Sequence, residues 1–151
     1  MALPWQEKCW LLFAFPASGV VRLMIVSLPF NIYSRFLGHY YRNFLLSSLV
    51  SQEQLRLAWR IGRIIESVCK YTPWKSKCFV QAVLARILLG MYNIPYVLHM
   101  GTRLTGMPDQ PMKAHVWVKV GPWIIVGREG HRAYPVVATF LSPPTTSSTP
   151  C

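Results

Sequence analysis

The chain is 151 residues long, enough to bury one core without disulfide or metal staples and cramped for two domains. Apolar residues make up 52% and charged ones 14%, a composition rich for a soluble domain, so some apolar surface is expected to face a membrane or a partner. Sixteen Lys and Arg against five Asp and Glu give a net charge of +11, which suits nucleic acid, acidic peptides and anionic lipid headgroups alike. The cysteines at 9, 69, 78 and 151 form no CxxC pair and no dense spacing, which argues against a zinc knuckle or a disulfide framework and for a reducing compartment.

Near the N-terminus Lys8 precedes an apolar stretch, Cys9 to Val21, that contains Pro16 and Gly19 and meets Arg22 with no small-residue cleavage site, so it does not read as a signal peptide. Thirteen uncharged residues separate Lys8 from Arg22 and twelve separate Arg22 from Arg35, short of the roughly 18 that a spanning helix needs. Helices are expected over 9–28 and 30–46, broken at Pro29, as buried or interfacial elements with scope for peripheral membrane contact.

Ser51-Gln52-Glu53-Gln54 has the form of a capping box and predicts a helix to about Tyr71, ahead of Pro73. Leu57, Ile61, Ile64 and Val68 fall on one face, and Arg56, Arg60, Arg63 and Lys70 on another that reads as solvated. A connector over 72–77 leads to Cys78, which opens an amphipathic run predicted to end between Gly90 and Asn93. On that helix Cys78, Gln81 or Ala82, Ala85 and Leu89 share a face, and the two alanines permit close approach to a sheet.

After Pro95 the apolar period changes from 3.6 to 2, predicting strands at Tyr96–Leu104, Lys113–Val120 and Trp123–Val126, an edge strand at Tyr134–Phe140, and a loop over Thr105–Met112. Helices first and an antiparallel sheet second give an α+β fold in one domain over 1–140, helical to 72 and catalytic from 73, with a disordered Pro/Ser/Thr-rich tail over 141–151.

Within this frame the chemistry concentrates at Cys78 and His115. A thiol at a helix start meets amides and a dipole that favour negative charge, and Lys70, Lys75 and Lys77 act in the same direction. Strand parity sets His115, Trp117 and Lys119 opposite the aliphatic face of Val116, Val118 and Val120, leaving the imidazole free to act as a base. Acidic residues number five, and in the order nucleophile, base, orienting group only Glu129 follows His115, past a strand that can carry it back beside the ring. The Cys78 amide offers one oxyanion donor, and Gln81, Trp74 and Trp117 are candidates for further oxyanion or substrate contacts. No two of Cys69, Cys78, His99 and His115 have a recognised metal-ligand spacing, so no metal and no cofactor is called for.

The run Pro73-Trp74-Lys75-Ser76-Lys77-Cys78-Phe79-Val80-Gln81-Ala82, followed by Gly90, Tyr92-Asn93-Ile94-Pro95, Gly101 and Ala114-His115-Val116-Trp117-Val118, resembles the transglutaminase-like leader peptidases of lasso-peptide biosynthesis, the B proteins. Leu28-Pro29-Phe30, Val126-Gly127-Arg128-Glu129 and Tyr134 extend the resemblance over most of 5–140. The resemblance implies a papain-like, transglutaminase-like fold and a bacterial cytoplasmic cysteine protease, with Cys78 as nucleophile and His115 as base. It implies a precursor peptide as substrate, an ATP-dependent cyclase as partner and no nucleic acid. Many members place an aspartate where this chain has Gly127, for which Glu129 is the substitute. With no room for an N-terminal leader-recognition domain, the resemblance implies a separate protein in that role. Two other readings use the same residues differently: a transglutaminase-like acyltransferase, and a basic membrane-surface or nucleic-acid binding module with incidental Cys and His.

Overall fold

A computed structural model describes residues 4–29, 32, 35, 39–41, 50–72 and 78–143. Four helices were expected ahead of the sheet, and three stand among the described residues. Helix α1 spans Trp5–Ser27, longer than the expected 9–28 segment at its start, and contains Pro16. It runs through Lys8 and Arg22, so by length and composition it is sufficient to cross a membrane, contrary to the expectation drawn from the uncharged runs alone. Trp10, Ala14, Ser18 and Val21 form its one buried stripe, and most of its other apolar side chains are exposed. The Trp10 indole donates to the Tyr92 hydroxyl at 2.8 Å, and Arg60 Nε donates to Glu7 Oε1 at 2.7 Å, fixing this helix to the two that follow.

Helix α2, Gln52–Tyr71, begins with the reciprocal cap that its sequence specifies: the Ser51 hydroxyl accepts from the Gln54 amide, and the Gln54 side chain accepts from the Ser51 amide. Its apolar face, centred on Ile61, Ile65 and Val68, is buried. Helix α3, Cys78–Met91, is apolar on nearly every side and therefore central. Ala82, Leu84, Ala85 and Leu89 have no exposed surface, and each buried Leu contributes about 1.5–3 kcal/mol of transfer free energy.

Among the described residues the sheet has five antiparallel strands: β1, His39–Tyr41; β2, Val97–Met107; β3, Gln110–Val120; β4, Trp123–Val126; and β5, Val136–Leu141. Their order is β1-β5-β2-β3-β4. Two expectations change here. The segment 39–41, read from apolar content as helix, pairs with β5 through His39↔Leu141 and Tyr41↔Thr139, and the remainder of 30–46, apart from 32 and 35, lies outside the described residues. β5, read as an edge, is an inner strand between β1 and β2, with pairing that extends to Leu141.

The expected loop 105–112 is instead the tip of one long β2–β3 hairpin. Gly106 takes a left-handed φ of 69° where the register shifts, so a residue that looks like a breaker lets both strands continue. Leu98, Val116, Val118, Val120 and Phe140 point from the sheet into the helical core. The opposite face, through Val97, His99, Trp117 and Thr139, is buried as well. Residues 144–151, which include most of the expected tail, lie outside the described residues.

Candidate active site

Cys78 is the first described residue of α3. His115 lies on β3, opposite Gly101 of β2. Side chains from both elements line one cleft of about 630 Å³, together with Glu66 and Lys70 of α2, Gln81 of α3, and the turn Gly127, Arg128, Glu129 after β4. The structure thus brings together Cys78, His115, Gln81 and Glu129 from the sequence reading. Trp74, Lys75 and Lys77 lie outside the described residues, and Cys69 is half-buried and does not line the cleft.

The orientation of the imidazole follows from one hydrogen bond. His115 Nε2 stands 2.8 Å from the Gly127 carbonyl oxygen. A carbonyl only accepts, so Nε2 carries the proton and the neutral ring keeps its basic lone pair on Nδ1. The orienting partner expected from Glu129 is therefore supplied by the main chain two residues earlier, at the position where the resemblance calls for an aspartate. Glu129 lines the cleft without hydrogen-bonding the ring.

Only glycine permits that arrangement. Gly127 has φ 75°, and a Cβ there would meet the Val116 carbonyl oxygen and lie 2.9 Å from Trp117 Cα. Gly101 serves the other side of the ring: a Cβ on it would lie 2.7 Å from Tyr134 Cβ, and the Tyr134 ring packs 5.2 Å from the imidazole. Trp117 stacks 5.9 Å from the same imidazole but is only 4% exposed. It packs against His115 and is not among the residues that line the cleft.

Two groups that the sequence reading left without a role belong here. The first is the Gly127 carbonyl. The second is Glu66, which precedes Cys78 in the chain and so falls outside the order nucleophile, base, orienting group. Burial lifts its carboxyl above the usual range, the Arg128 charge pulls it back, and the Glu129 charge adds to the rise.

The arrangement has two parts that acyl transfer through a thiol requires: a sulfur on a helix and an imidazole with a defined tautomer in the same cleft. A family model described as the transglutaminase-like superfamily matches residues 24–139. The chain belongs to that superfamily. Such transglutaminase-like domains are typically cysteine-based catalytic folds and include proteases and acyltransferases, in agreement with helices followed by an antiparallel sheet in an α+β arrangement. No curated protein and no solved structure matches the chain.

Proposed function

We propose that this transglutaminase-like protein is a cysteine peptidase that cleaves the leader from a ribosomally made lasso-peptide precursor. It acts in the bacterial cytoplasm with a separate leader-recognition protein and an ATP-dependent cyclase. The observation that carries the reading is the His115–Gly127 hydrogen bond in the cleft that also holds Cys78. The motif resemblance around both residues supplies the choice of substrate.

In this reading Nδ1 of His115 takes the Cys78 proton, and the sulfur attacks the carbonyl carbon at the leader–core junction. The oxygen of the resulting tetrahedral species accepts from the Cys78 amide, with Gln81 as the candidate second donor. The C–N bond breaks, the imidazolium gives its proton to the departing amine, and the leader remains as a thioester on sulfur. Water, deprotonated by the same imidazole, then releases the leader carboxylate and restores the thiol.

The test is the mass of the leader product after incubation with precursor and leader-recognition protein. Hydrolysis yields a free carboxylate. A leader joined to an added primary amine, with no free acid, would replace peptidase by acyltransferase, the other activity within the superfamily.

A further inference from the structure

The face of α2 that carries Arg56, Arg60 and Arg63, read from the sequence as solvated, borders a continuous groove. Three hollows form a chain. The catalytic cleft shares Glu66, Arg128 and Glu129 with a second hollow of about 220 Å³, which adds Trp59, Arg63 and Ile125. Trp59 in turn borders a third, of about 440 Å³, with Arg56, Arg60 and Trp123. Along α2 the lining residues 56, 59, 63, 66 and 70 recur at steps of three and four, so one helical stripe runs from the far hollow to the thiol. Strand β4 and the turn after it form the other bank.

The two banks meet closely because of Gly62. A Cβ on that residue would stand 2.5 Å from the Ile125 carbonyl oxygen, so glycine brings α2 down onto the β4 backbone and leaves the longer side chains to form the rim. The far hollow is unusual for exposed surface. Trp59 and Trp123 are 39% and 43% exposed, and the Arg63 guanidinium lies over the Trp59 ring at 5.0 Å. Two accessible indoles with guanidinium groups around them fit a large apolar side chain accompanied by carboxylates.

We infer that this groove binds an extended segment of the same peptide that Cys78 cleaves, with an aromatic or large aliphatic side chain flanked by acidic residues in the Trp59–Trp123 hollow. The inference rests on the peptidase reading and adds a selectivity element away from the reacting bond. Continuity with the cleft and charge complementarity favour a substrate segment as occupant. Its position follows from the banks. Arg56 to Lys70 is fourteen helical steps, about 21 Å at about 1.5 Å each. Trp123 to Gly127 is four strand steps, about 13 Å at about 3.3 Å each. An extended peptide covers that range in about four to six residues, so the anchor sits about that far from the scissile bond.

The probe is a fluorescein-labelled, acetylated twelve-residue Gly/Ser peptide with Glu-Phe-Glu at its centre, titrated by anisotropy into the full chain carrying Cys78→Ala. The expected result is saturable binding, weakened at least fivefold by Arg56→Glu with Arg63→Glu, and by Trp123→Ala. A Lys-Phe-Lys version is expected to reverse the order and prefer the double glutamate variant, which a merely misfolded variant would not do. Equal binding of the acidic peptide to the parent and the double variant overturns the inference, as does absence of binding. Cleavage of the precursor by the chain with Cys78 intact is read separately: cleavage without peptide binding removes the groove, and binding without cleavage removes the peptidase.

Discussion

His99 makes stability depend on pH in a direction that the structure determines. The side chain has no exposed surface, Nδ1 lies 3.0 Å from the Thr139 hydroxyl, and Nε2 has no partner among the described residues. Burial lowers its pKa from 6.5 to about 4, and the Lys119 charge acts in the same sense. The native state therefore keeps His99 neutral where the unfolded chain already binds a proton. Between about pH 6.5 and about 4 the unfolded state holds the extra proton, so stability falls as pH falls across that window and is fully present above it. At about 1.36 kcal/mol per pH unit the loss amounts to about 3 kcal/mol, a large part of the 5–15 kcal/mol typical of a domain. Glu66 works the other way, because a raised carboxyl pKa makes the native state hold its proton more tightly and adds stability on acidification. Comparing the parent with His99→Gln cancels that contribution. Urea unfolding at pH 7, 5.5 and 4.5 is expected to show the parent losing stability faster than the variant, with the gap widening toward pH 4. Parallel curves for the two proteins would refute the placement of a neutral, enclosed His99.

Two glycine substitutions test the geometry around the cleft. Gly127→Ala introduces a left-handed alanine and a contact with the Val116 carbonyl, for a cost of about 2–5 kcal/mol. It also displaces the carbonyl that holds Nε2, so cleavage should fall at least tenfold in protein that circular dichroism shows to be folded; parent-like cleavage would mean that the hydrogen bond does not position the base. Gly62→Ala forces α2 away from β4 and is expected to cost about 1–3 kcal/mol in urea unfolding, whereas a change within about 0.5 kcal/mol would contradict the close approach at Ile125.

Local chemistry made part of this molecule legible before its structure. The Ser51 cap, the helix that carries Cys78 and the strand around His115 depend on residues within a few positions of one another, and each stands as read. What the sequence did not show depends on distant pairing. Nothing near His39–Tyr41 marks it as a partner for β5 about a hundred residues later, and nothing near Val136–Leu141 marks it as an inner strand. The third group of the site escaped for a different reason. A main-chain carbonyl has no residue-type signature, so among the side chains Glu129 is the visible candidate while the bond is made by Gly127. The available signal was the glycine itself, at the position where the resemblance calls for an aspartate. Glu66 is invisible to chain order, which says nothing about which helix borders a cleft.

The central claim is that Cys78 carries the acyl group. Intact-protein mass spectrometry of the chain mixed with precursor peptide and leader-recognition protein, acid-quenched at short times, tests it directly. The account predicts a transient mass increase equal to the leader acyl group, located on the peptide containing Cys78 and absent, together with cleavage, from Cys78→Ala. Cleavage at the parent rate by purified, folded Cys78→Ala would contradict it.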